Sequence, residues 1–391
     1  MTTNAYLSPG VWVVEHKTAN ADIGPGTTYW KRLVLDGQVS TYLPGTRALG
    51  HADVRGVLYD VIRKPTIRPL KATPVEQREY TKPRDKACPE CKKKKQATPA
   101  PHQVEIARLD KDVLGDELGE PVYAYCHEGR VVTDPGGKLY ASMRENDETP
   151  EEFRARLRSD IGANPEKYYQ RGTVVRLVDE EKDAAFDAWS VAGQIRESQL
   201  SGRWPRNVDA CDTYGSFCAY WPVCAGEATI EDDARYRNAD EHEELEGAKV
   251  EQDADPETAE KRRLPLVTSS SLKAYRSCAR KYFHAYEQRR RPVQTSDALR
   301  FGTLMHKGLE VWWSTCDLAL ALEAMAGEAD PFERVKAEEL MLGYHVMWSE
   351  EPLEVLAVES EFVAPLVNPE TGRASRTWAR GGKIDALVRV Q

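Results

Sequence analysis

The apolar lead-in VWVV of VWVVEHKT (11–18), rich in β-branched residues and following a Ser-Pro-Gly turn, predicts a strand. A helix is expected around Gly37–Leu49, then a second strand, VRGVLYDVI, at 54–62. Thr149-Pro150-Glu151-Glu152 marks a helix start, with a hydroxyl cap, Pro at the first position and Glu placed to reach back; that helix should stop near Gly162. Another helix is expected over about 181–200. Ser269–Ser271 can cap a long helix, LKAYRSCARKYFHAYEQ, with Leu272, Tyr275, Cys278, Tyr282 and Tyr286 on one side. Helices at about 298–314 and 331–348 follow, and the strand-like runs EVLAVESEFVAPL and GGKIDALVRV close the chain. No internal repeat is present.

A chain of 391 residues, 41% hydrophobic and 30% charged, can build two or three folded domains and is not a disordered protein. Its beginning lacks the pattern of a secretory signal, and no run approaches the roughly 20 apolar residues of a membrane helix. A soluble intracellular protein, cytoplasmic in a bacterial or phage-infected cell, is the expectation. The net charge is −9, but thirteen acidic residues against three basic ones lie between Glu231 and Glu260. That stretch reads as a solvated linker with few core contacts, and the remainder is close to neutral, with basic clusters at Lys92–Lys95 and Arg289–Arg291. A nucleic-acid partner is compatible with this balance. The expected organisation is 1–63, one half of a core; 64–148, an irregular insertion; 149–226, a helical segment; 227–264, the acidic linker; and 265–391, the other half of the core.

Glu15 and Lys17 sit at i and i+2 of a strand and share a face, whereas Gln38 and Tyr42 share a face of a helix. Asp385 lies in GKIDALV and His306 in FGTLMH. Two carboxylates, an imidazole and an ammonium suit metal-assisted phosphodiester hydrolysis: acids and histidine hold a cation, and the lysine steadies water or phosphoryl charge. Each also has a plainer reading, as a solvent-face pair, an edge aspartate, a packing histidine or ordinary amphipathic residues. Of Glu359 and Glu361, only one is expected to point inward, with Glu359 favoured. Cys211, Cys218 and Cys224 fall in one aromatic stretch and Cys88 and Cys91 form a CPEC; without a signal peptide, such clusters favour metal or iron–sulfur ligation over disulfides. Spacing alone does not choose zinc or iron–sulfur. Cys88, Cys91 and Cys126 with His127 are candidates for a zinc knuckle, and Cys316 is expected to be simply buried.

SSSLKAYRSCARKYFHAYEQRRRP followed by ALRFGTLMHKGLEVWW resembles the opening of RecB-like nucleases of the PD-(D/E)XK superfamily, including iron–sulfur CRISPR-associated and phage exonucleases. VESEF, GGKIDALV, VVEHKT and QVSTY are similar to the motifs that follow, the last two to E-x-K and Q-x3-Y. The resemblance implies an α/β restriction-endonuclease-like core, a mixed sheet flanked by helices, with a helical cap holding a 4Fe-4S cluster on Cys211, Cys218, Cys224 and Cys278. It implies a DNA exonuclease acting on single strands or ends, with Mg²⁺ or Mn²⁺ on His306, Asp385, Glu15 and the His16 carbonyl. Lys17, Gln38 and Tyr42 would serve catalysis. A DNA-binding module of the same fold without turnover is the alternative.

The motif order departs from the family's, which places the histidine and aspartate before E-x-K. Joining Gln391 to Met1 would put Glu15 twenty-one positions after Asp385, so a circular permutation is expected. The strands at 11–17 and 382–390 should then pair antiparallel, with residues 1–8 as an overhang.

Overall fold

A computed structural model of the chain describes residues 7–33, 35–74, 88, 90–91, 102–108, 121–127, 130–132, 144–213, 216–243, 245, 264–294 and 296–391. It divides into two units, one formed by Met1–Thr66 with Arg156–Gln391, the other by Ile67–Ala155.

The larger unit is built on a mixed sheet of six strands: β1 (Gly10–Ala19), β2 (Val54–Arg63), β3 (Tyr169–Val174), β4 (Leu266–Val267), β5 (Glu354–Val367) and β6 (Ala374–Val390). Their order is β4-β6-β1-β2-β3, with β5 on the other edge of β6. β1 runs parallel to β2 and antiparallel to β6, from Gly10↔Val390 to Val14↔Ala386. β4 joins the same edge of β6 lower down, at Ala379 and Arg380. Among the described residues, no strand lies against this edge of β6 between Arg380 and Ala386, and Asp385 lies in that gap.

The recurring helices are α1 (Gly37–Ala48), α2 (Pro150–Ala163), α3 (Val178–Ser201), α4 (Ser269–Ser277), α5 (Asp297–Thr315) and α6 (Pro331–Trp348). β1 is buried on both faces because its neighbours are central strands with helices over them. On one face Val11 and Val13 pack with Val39 and Tyr42 of α1 and with Phe362 and Ile384. On the other, the ring of His16 meets Trp313 of α5 at 5.7 Å and Tyr344 of α6 at 6.4 Å. Gly45 lets α1 settle onto the sheet: a Cβ there would lie 2.5 Å from the ring of Phe362.

A second core joins α3 and α4 to residues on either side. It holds Ile195, Trp204, Tyr220, Leu272, Tyr282 and Trp378, with Trp204 stacked on Tyr282 at 5.7 Å.

Several expectations need correction. The helix beginning near Ser269 is not continuous: Cys278 is extended (φ −164°, ψ 118°), and a new helical run starts at Ala279. Its cap is Thr268, whose hydroxyl accepts from the Ser271 amide at 3.1 Å. The segment after Cys224 is not all linker. The strand Tyr236–Asn238 pairs with Arg290–Pro292, and Tyr236 is buried and stacked on Tyr220 at 5.6 Å. Residues 246–263 lie outside the described residues. The 149–226 stretch contributes a sheet strand, β3, besides its helices. The insertion contains a three-stranded sheet, His102–Arg108, Pro121–His127 and Arg130–Val132. Of the expected overhang, residues 1–6 lie outside the described residues, while Leu7 is buried and the Ser8 carbonyl accepts from the Trp12 indole at 2.9 Å. Cys316 is exposed, at the C-terminal cap of α5.

Candidate active site

Asp36 caps α1 by accepting from the Gln38 amide at 2.9 Å, which fixes Gln38 in the first turn and Tyr42 one turn on. Gln38 and Tyr42 hydrogen-bond to each other, and Gln38 Oε1 accepts from Lys17 Nζ at 2.8 Å. Lys17 also donates to Glu15, its partner on the same strand face. Burial works against the Lys17 ammonium, but the Glu15 carboxylate beside it, with Asp385 and Asp36, overcomes this and raises its pKa. Burial, reinforced by the charge of Glu15, pushes the Tyr42 phenol well above its usual value, so it stays protonated.

Asp385 stands where the β1–β6 ladder stops. The amide of His16 donates to its Oδ2 at 2.7 Å, replacing the missing ladder bond. Burial and then the neighbouring Glu15 push the Asp385 carboxyl well above the usual range, against the pull of that amide. His306 on α5 brings Nδ1 to 3.9 Å from the same oxygen. Glu359 completes the group: one ligand atom each of His306, Glu359 and Asp385 lie within 4.8 Å of one another. Glu359 is in the left-handed region (φ 50°), where a non-glycine residue is strained, and it bonds Lys383 at 2.6 Å. Residues two apart in a regular strand share a face. Glu359 and Glu361 therefore do not alternate as expected; Glu359 is set apart by its positive φ and by its place among the converging ligand atoms.

The site residues named from sequence accordingly occupy two adjoining groups. Glu15, Lys17, Gln38 and Tyr42 form one, and His306, Glu359 and Asp385 the other. Glu15 is not among the three converging ligand atoms. One of its oxygens binds Lys17, and the other, Oε2, is buried without a hydrogen-bond partner. His16 enters through its amide, and its buried ring nitrogens have no hydrogen-bond partner. Burial pushes that imidazole down to about 3.

Sequence reasoning missed Lys383, although its place two residues before Asp385 on β6 was a usable signal. It also missed a buried ion network below the site. Arg171 of β3 lies opposite Asp60 of β2 and contacts it at 2.9 Å; its other arm binds Glu351, and the Trp348 ring lies 3.7 Å from the guanidinium. Tyr344 also donates to Asp60, whose Oδ2 is 3.8 Å from His16 Nδ1.

The cysteines form two different arrangements. Cys211, Cys218, Cys224 and Cys278 line one small cavity with Arg206 and Lys281, and the Asn207 amide donates to Cys278 Sγ at 3.4 Å. Cys88, Cys91 and Cys126 are buried with their sulfurs within 4.8 Å of one another, a group able to bind a metal. The side chain of His127 lies outside the described residues.

Among the described residues no helix is long and apolar enough to cross a membrane. No curated protein and no solved structure matches the chain. Residues 267–378, which carry His306 and Glu359, match the family model of the PD-(D/E)XK nuclease superfamily, whose chemistry is metal-dependent cleavage of nucleic acid.

Proposed function

We propose that this chain is a divalent-metal-dependent DNA exonuclease acting on single strands or DNA ends. The observation that carries the reading is the convergence of His306, Glu359 and Asp385 beside a half-buried lysine held by Gln38 and Glu15. Carboxylate oxygens with one imidazole suit Mg²⁺ or Mn²⁺. The donor set fits such an ion, and the unpartnered Oε2 of Glu15 offers a further oxygen. Bound there, the cation would polarise a phosphoryl oxygen and lower the pKa of water at the site.

The chain's own residues supply the rest. The His16 amide and the strand ends hold the Asp385 carboxylate in place. Gln38 and Glu15 fix the Lys17 ammonium, which can donate to the attacking water or to the developing phosphoryl charge. Tyr42, kept protonated, orients Gln38. A cavity of about 420 Å³ opens beside Lys17, and Arg32, Lys273 and Arg276 on its walls can follow a phosphate backbone.

Two subsidiary readings belong with this one. A permuted motif order is supported by the β1–β6 pairing and by a family match that includes His306 and Glu359 but neither Asp385 nor Glu15. A 4Fe-4S cluster on Cys211, Cys218, Cys224 and Cys278 is supported by the shared cavity, by two cations to offset thiolate charge and by the amide on Cys278.

End-labelled single-stranded DNA tests the activity. With Mg²⁺ or Mn²⁺, small nucleotides should be released from linear strands, while closed circles stay intact. Cutting of circles would sink the exonuclease assignment but keep a nuclease. Tight DNA binding with no release under either metal would leave only the binding module.

A further inference from the structure

We infer that Cys88, Cys91 and Cys126 hold a structural zinc ion that staples the unit Ile67–Ala155. The inference is independent of the nuclease reading, since none of these residues belongs to the site above.

The three thiols come from a CPEC knuckle and from the strand Pro121–His127, which is the middle strand of the three-stranded sheet. All three are buried, and the core they form holds one ordinary apolar residue among the described residues, Val104. A sheet of three short strands is marginal without a hydrophobic face or a covalent or metal staple. Thiols massed at its centre supply little apolar area, so burial alone does not account for them.

Distance separates the alternatives. Four thiolates about 2.3 Å from a tetrahedral zinc ion stand about 3.8 Å apart. Cys91 Sγ and Cys126 Sγ are 3.7 Å apart, and all three sulfurs lie within 4.8 Å. A disulfide needs about 2.05 Å and would use only two of the three sulfurs; none of these cysteines is in one. Mg²⁺ and Mn²⁺ prefer oxygen donors. The other cysteine group, Cys211, Cys218, Cys224 and Cys278, lines a separate cavity. Burial of all three sulfurs also keeps substrate from the metal, which makes the ion structural.

Metal analysis of the full-length protein, purified under reducing conditions without chelator, tests this. About one zinc per chain should be present, absent from Cys91→Ser/Cys126→Ser and retained in Cys211→Ser/Cys278→Ser. Cobalt exchanged into the wild type should give a thiolate-to-cobalt charge-transfer band that the first double variant lacks. Because that variant can misfold, Cys126→His, which keeps a donor, should retain the metal with a weaker band. Zinc that stays in Cys91→Ser/Cys126→Ser overturns the assignment. So does a Cys91–Cys126 disulfide without metal, or iron in place of zinc at these cysteines.

Discussion

The backbone amide of His16 donates to Oδ2 of Asp385 at 2.7 Å, although 369 positions separate the two residues. The bond lies just past the last β1–β6 pair, Val14↔Ala386, so the carboxylate takes the role of the ladder acceptor where the strands part. An acid held this way faces His306 and Glu359 without rotamer freedom to lose on binding a cation.

Asp385→Asn should keep an oxygen for the His16 amide and lose the charge that a divalent cation requires. Groups that merely support a metal ligand cost about 10–100-fold when removed, so loss of this carboxylate should cost more than a hundredfold in nucleotide release. The melting temperature should change little or rise, because a half-buried carboxyl crowded by Glu15 loses its charge. Full activity in Asp385→Asn would remove this residue from the site.

Lys17 and Lys383 each contact a carboxylate, and their roles should separate. Lys17→Met should lose cleavage by about 10²–10⁴-fold while binding Mn²⁺ at least as tightly as the wild type. Lys383 competes with a cation for Glu359, so Lys383→Met should tighten Mn²⁺ binding, measured by calorimetry, and retain cleavage. Weaker Mn²⁺ binding in Lys383→Met would contradict that competition.

Much of the core was readable from sequence because most of the candidate site residues lie in continuous strand or helix runs. VWVVEHKT and GKIDALV form strands and QVSTY a helix as expected, but β1 is buried on both faces, so alternation is not what its burial shows. What failed to show was carried by single residues against a misleading background. Tyr236 sits among acidic residues, yet one aromatic ring against Tyr220 fixes that segment. YQRGTV offers little apolar alternation because Arg171 is buried through ion pairs instead of hydrophobicity. Glu359 needs a left-handed backbone that no residue type there announces.

Arg171 provides a test of that hidden network. Its side chain is 2% exposed and bridges Asp60 and Glu351, at 1% and 6%. Arg171→Met would strand two buried carboxylates and should destabilise the protein by about 3–5 kcal/mol, measured by urea unfolding. Adding Asp60→Asn should recover part of the loss, since the pair is directly coupled across β2 and β3. A loss below about 1 kcal/mol would mean that the carboxylates find other partners or protons at low cost.

The break at Cys278 makes the last prediction. An extended residue between α4 and the helical run from Ala279 interrupts helical bonding, and the chain is held there from outside. The Asn207 amide bonds the Cys278 sulfur, and the Arg280 amide donates to the Pro205 carbonyl at 3.1 Å. If Cys278 is the remote ligand of a 4Fe-4S cluster, ligation draws this kink onto the 211–224 segment, and binding energy adds to folding. Cys278→Ser, prepared without oxygen, should therefore lose iron and brown colour and melt at a lower temperature. Cys316→Ser, at an exposed helix end, should change neither. Colourless wild-type protein under the same conditions would end the cluster assignment, while cleavage at His306, Glu359 and Asp385 would stand or fall separately.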